Sequence, residues 1–117
     1  MQFVLMIYHG QAPLPGTDRW KSLPVAEQKA IYAEYAEFNK ATGLTTGLPL
    51  GQARAAKTVR VRDGKADVKD GPYLSEAVGG YAVFEAENLD AALALAARIP
   101  AARLGGAVEI RPSERYW

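Results

Sequence analysis

The chain has 117 residues with a formal net charge of +1, 49% hydrophobic and 23% charged residues, and no cysteine. One domain spanning 1–117 is the expectation, because a single hydrophobic core suffices for this length and the composition is that of an ordinary globular protein. The absence of cysteine removes disulfides, thiolate nucleophiles and thiolate metal sites, and one histidine leaves little for other metal designs, so no metal and no cofactor is expected. A charge near neutrality argues against nucleic acid as partner.

Phe3-Val4-Leu5-Met6-Ile7-Tyr8 is apolar throughout and short, with no basic residue ahead of it. It predicts a strand rather than an export signal, and no run of 18 apolar residues follows, so no membrane span is expected. A cytoplasmic protein is the resulting expectation. His9-Gly10 ends the strand, and residues 11–22, with two prolines and a glycine, predict a loop. Ile31, Tyr35 and Phe38 then recur at helical spacing, with Ser22 and Pro24 near the start and Gly43 as the left-handed stop, predicting an amphipathic helix of about five turns. Leu44 to Leu50 predicts a second strand. Gly43, Gly47 and Gly51 recur every four residues, a spacing that fits neither the dinucleotide fingerprint nor a phosphate loop.

Thr58 to Arg62 alternates with period two, Asp63-Gly64 follows, and Lys65 to Val68 returns, which is a hairpin signature. Arg60 and Arg62 share one face of it, as charges that discourage strand addition at a solvated edge. Asp70-Gly71-Pro72 predicts a further turn, and Gly79-Gly80 leads into a strand from Tyr81 to Glu85. Asn88 caps a predicted helix from Leu89 to Arg98, which Pro100 stops, and Ala107 to Arg111 alternates as a last strand closed by Pro112. The order is strand, helix, strand, hairpin, strand, helix, strand. It predicts an α+β class, a ferredoxin-like split βαβ with an inserted β-hairpin. Helices cover one sheet face in that architecture, yet Phe3, Leu5 and Ile7 alternate with the equally apolar Val4, Met6 and Tyr8. The first strand therefore predicts a second cover, most simply another copy of the sheet in a homodimer.

Three groups are candidates for chemistry. His9 has the one side chain that titrates near neutrality, and it stands at a strand end, where a loop can present it to a pocket. Its bland alternative is a strand-end imidazole with a satisfied hydrogen bond. Asp70 is a candidate acid or base, against a purely structural role in its Asp-Gly-Pro turn. Glu109 and Arg111 lie two apart on one strand face, suited to binding an anionic group or to a surface ion pair. Tyr81, at the strand start after Gly79-Gly80, is expected with Asp70 on the rim of the main pocket.

Val59-Arg60-Val61-Arg62-Asp63-Gly64-Lys65, Asp70-Gly71-Pro72-Tyr73, Gly79-Gly80-Tyr81, Ala91 to Pro100 and Gly106-Ala107-Val108-Glu109-Ile110-Arg111-Pro112 together resemble the YCII-related domain family, in its DGPF branch, over most of the chain. The resemblance implies a ferredoxin-like α+β fold in a dimeric α/β-barrel-type assembly, with uncharacterised activity. Members are often encoded beside extracytoplasmic-function sigma factors. Related members carry a His and an Asp in a cleft, and the Asp of that pattern is Asp70. Their histidine belongs to the first helix, where this chain has none, so the resemblance carries over Asp70 and leaves His9 as at most a substitute from a neighbouring position. Of the family's Lys-Glu pair only Glu76 has a counterpart.

Two functions follow as expectations. One is an enzyme using general acid–base chemistry on a small polar or anionic molecule, with Asp70 and His9 catalytic and Tyr81, Glu109 and Arg111 binding substrate. The other is a non-catalytic small-molecule-binding or regulatory module linked to transcription. Fold analogy alone adds a cofactor-free oxygenase or isomerase.

Overall fold

A computed structural model describes residues 1–116. Ten regular elements follow in chain order: β1 (Gln2–Tyr8), α1 (Asp18–Lys21), α2 (Val25–Asn39), β2 (Leu44–Thr46), β3 (Lys57–Arg62), β4 (Lys65–Asp70), β5 (Val78–Glu85), α3 (Leu89–Ala96), α4 (Pro100–Arg103) and β6 (Ala107–Pro112), with a single 3₁₀ turn at Ala53–Ala55. β2, β5, β1 and β6 form one antiparallel sheet in that spatial order, and β3 pairs only with β4 in a separate two-stranded sheet. The class is α+β, and the sheet order is compatible with a ferredoxin-like fold.

Because side chains alternate across a strand, β1 divides its apolar residues between two faces. Phe3, Leu5 and Ile7 are buried at 1%, 0% and 7% exposure, beneath Ile31 and Phe38 of α2, Leu95 of α3 and Ile99. Full burial of each large side chain contributes on the order of 1.5–3 kcal/mol, so this layer is a main source of stability. Val4, Met6 and Tyr8 point to the opposite face and remain half-buried. Val4 stands opposite Val83 and Arg111, and Met6 opposite Tyr81 and Glu109, so the open face joins apolar residues to an ion pair and a tyrosine.

Several boundaries differ from the sequence reading, each for a local reason. Leu44 to Leu50 is strand only to Thr46, and the residues after it leave the sheet. The loop at 11–22 contains α1, started by the Thr17 hydroxyl, which accepts from the Trp20 N–H. Ser22 ends α1 rather than starting α2, whose N-cap is Pro24 with no side-chain bond. Pro100 does not stop α3: that helix ends at Ala96, and Pro100 opens α4, where a missing N–H costs nothing and the fixed φ is already helical. β5 begins at Val78, ahead of Gly79-Gly80, with its register to β1 shifted between Ile7 and Tyr8. That irregularity leaves Gly79 without a cross-strand partner, directly beside His9.

Candidate functional site

The end of β1 turns sharply, and its chemistry requires glycine twice. Gly10 has φ +54°, and a side chain there would collide with the backbone of Gly105 and Gly106. A Cβ on Gly106 would lie 2.8 Å from the His9 carbonyl oxygen and 3.0 Å from that of Ala101. The close approach of β1, α4 and β6 thus fixes the backbone that carries His9, whose carbonyl also accepts from the Ala12 N–H at 2.9 Å.

The His9 ring leans over Gly79, where an added Cβ would fall 2.8 Å from its Cγ. It borders a cavity of about 940 Å³, which lies between the end of β1, the loop from Leu14 to α1, one side of α2, and the segments 46–54 and 75–81. Partial burial lowers the His9 pKa from 6.5, since withdrawal from water disfavours the imidazolium. The ring is neutral at pH 7 and makes no hydrogen bond or ion pair with any described residue. A neutral imidazole facing a cavity can accept a proton at one nitrogen and donate from the other.

Tyr35 and Tyr81 share this cavity, with Asp18, Lys21, Arg54 and Glu76 supplying charge at its walls. Burial raises the Tyr35 pKa, so its hydroxyl stays a neutral donor across the physiological range. Tyr81 projects from the open side of β5, and its hydroxyl lies 3.0 Å from where a Cβ on Gly47 would stand. Glycine at 47 is what lets the segment after β2 pass against that ring.

The other sequence candidates lie elsewhere. Asp70 ends β4, is well exposed, pairs with the Lys57 ammonium, and lines neither this cavity nor a smaller one. Its neighbour Gly71 takes φ +93°, and the Gly71 N–H donates to the Ala56 carbonyl at 2.8 Å, closing the base of the hairpin. Arg111 Nε donates to Glu109 Oε2 at 2.7 Å on the exposed sheet face. Glu109 borders the smaller cleft, about 530 Å³, with Tyr8, Gln11 and Glu76. The structure therefore brings His9, Tyr81 and Glu76 to one cavity, Glu109 and Glu76 to its neighbour, and Asp70 to neither.

Residues that sequence reasoning passed over are Tyr35, Asp18, Lys21 and Arg54. Tyr35 was visible only as part of a helical apolar stripe, and the three charged residues reach the cavity because the segments 11–22 and 47–56 fold over it. No sequence signal marks such loop convergence. Among the described residues there is no group of three or more His, Cys, Asp or Glu side chains placed to hold a metal ion. No helix of the described residues is long and apolar enough to cross a membrane.

No curated protein matches the chain. A family model does, and it covers nearly the whole length. With its match running over residues 1–115, the chain belongs to the YCII-related domain family.

Proposed function

We propose that the domain binds a small polar or anionic molecule in the cavity beside His9, and that His9 serves there as the group accepting or returning a proton. The observation carrying this reading is the neutral, unpaired imidazole of the chain's one histidine, held against Gly79 and facing about 940 Å³ of space. A base near neutrality needs reach first, and an imidazole whose pKa burial lowers, with no carboxylate partner, stays in its neutral, proton-accepting form at pH 7. Tyr81 and Tyr35 supply hydroxyl donors, and Arg54 and Lys21 supply cations for an anionic substituent.

A second reading, binding without catalysis, is favoured by the position of Asp70. With its carboxylate on Lys57 and outside the cavity lining, Asp70 does not pair with His9 in this arrangement. Glu109 and Arg111, bound to each other, would in either reading need to separate before Arg111 held an anion.

The two readings share a binding step and diverge on protons. The test is a titration of the full chain with a panel of small mono- and dicarboxylic acids and their neutral amides, following the His9 imidazole by ¹H–¹³C NMR. Binding in the cavity moves the His9 and Tyr81 signals saturably, and His9→Ala weakens it at least tenfold while the remaining spectrum persists. A proton-transfer role further requires that a bound compound exchange a C–H or N–H proton with solvent in wild type and not in His9→Ala. Saturable shifts confined to Glu109 and Arg111 would overturn the assignment of the site.

A further inference from the structure

The cavity beside His9 is divided by depth. Its innermost side chains are apolar: Ile7, Leu14, Ile31 and Phe38 line it and are 7%, 3%, 6% and 2% exposed. The half-buried polar side chains beside them are His9 and Tyr35, and burial keeps each in its neutral form at pH 7. The charged residues of the lining, Asp18, Lys21, Arg54 and Glu76, are all exposed. A charge carried to the inner end would lose its water and meet no opposite charge, whereas an apolar group there would displace water from apolar walls. Leu50 and Tyr81 extend the apolar lining outward on two of the cavity's walls.

The four charged groups are not equivalent. Lys21 already has Asp18 beside it, Nζ to Oδ1 at 3.9 Å, and Glu76 borders both this cavity and the smaller cleft. Arg54 borders this cavity and not the cleft, and it makes no hydrogen bond or ion pair with any described residue. Its backbone is nonetheless held. Arg54 is the middle residue of the 3₁₀ turn Ala53–Ala55, in which the Ala55 N–H donates to the Gln52 carbonyl at 2.9 Å. The Gln52 side-chain amide in turn donates to the Gly16 carbonyl at 3.1 Å, tying the turn to the loop before α1. A planar guanidinium with its donors unspent matches a carboxylate through two parallel hydrogen bonds.

We propose that the ligand of this cavity is an amphipathic monocarboxylate, which enters apolar end first and has its carboxylate held at the mouth by Arg54. This ligand class rests on the reading of the cavity as the binding site, and it narrows polar or anionic molecules in general to those with a hydrocarbon body. A dicarboxylate would have to carry its second charge to the apolar end, and an amphipathic amine would find no use for Arg54. Specificity is shared between the two ends, with Arg54 selecting the charge and the apolar depth selecting the length. A volume of about 940 Å³ lies within the roughly 300–1,000 Å³ that ligands of some size occupy, so a two-carbon acid would leave most of it unfilled.

Isothermal titration calorimetry and methyl NMR test this on the full chain, with straight-chain carboxylates from acetate to octanoate and with octanedioate, octanamide and octylammonium. Affinity should rise about fourfold per added methylene until the apolar depth is filled. Octanoate should bind about tenfold or more tightly than octanedioate, octanamide or octylammonium, and unlike acetate it should move the Leu14 and Ile31 methyl signals. Arg54→Gln, at an exposed position, should weaken octanoate by about tenfold and leave octanamide unchanged, while Lys21→Gln should have the smaller effect on octanoate. Affinity that stays flat from acetate to octanoate, while the His9 signals still shift saturably, would overturn the amphipathic ligand and leave the site standing. Chain-length-dependent binding that moves Leu14 and Ile31 but is indifferent to His9→Ala would uphold the ligand and remove the proton-transfer role of His9. Absence of saturable binding by any of these compounds would overturn both. Octylammonium bound as tightly as octanoate, an Arg54→Gln variant of undiminished octanoate affinity, or shifts confined to the exposed Val59, Val61 and Val68 of the hairpin would each overturn the ligand class.

Discussion

His9 shows how one side chain can report on its surroundings. Its folded pKa lies below 6.5 because burial penalises the cation, so the unfolded chain takes up a proton first as pH falls. Its contribution is therefore fully present above about pH 6.5 and is lost as pH falls through that value toward the lower folded pKa. Urea unfolding between pH 5 and 8 should show this decline in wild type and a flatter profile in His9→Gln, which cannot take the proton. An unchanged slope in the variant would mean that the imidazole is as well hydrated in the folded chain as in the unfolded one. The neighbouring glycines extend the same reasoning. Gly79→Ala forces the His9 ring aside at a cost of about 1–3 kcal/mol and should move its NMR signals, since a side chain can rotate out of the way. Gly106→Ala meets three backbone carbonyl oxygens, which cannot, and should be the more destabilising of the two by chemical denaturation. His9 was legible in the sequence as a strand-end imidazole, but its contact with Gly79 was not, because the irregular pairing of β1 with β5 places it there.

At the scale of elements, the features legible in the sequence were those written in local chemistry. Asp63 and Gly64 both have positive φ, 51° and 75°, as a tight hairpin turn between twisted strands demands, and the Asp-Gly pair announces it. The Asn88 side chain accepts from the Ala91 N–H at 2.9 Å, satisfying one of the donors a helix start leaves open. Asn88→Ala should accordingly cost about 1 kcal/mol by thermal or urea unfolding, with no effect on the His9 signals. Where local chemistry is ambiguous, the sequence misleads. Pro100 can end one helix or begin another, and only the packing of Pro100 and Ala101 into the core decides for a start. Leu48 and Leu50 look like strand residues but stand 87% and 46% exposed in the cavity wall, for want of a neighbouring strand to receive them.

Across the whole molecule, two bodies of unequal stability share one chain. β1 is hydrogen-bonded on both sides, to β5 and to β6, and one of its faces is fully covered, so its amides open only when the domain unfolds. β3 and β4 have each other and little else. The alternation of Thr58 to Arg62 says which residues share a face and nothing about whether that face is covered, whereas Phe3 to Tyr8, apolar throughout, already marks a strand that belongs in a core. Hydrogen exchange separates them. In dilute protein the amides of Val59 to Val61 should exchange orders of magnitude faster than those of Leu5 and Ile7, through local opening of the hairpin. Hairpin amides as slow as those of Leu5 and Ile7 would require the arm to be stable alone, against the exposure of all three of its valines.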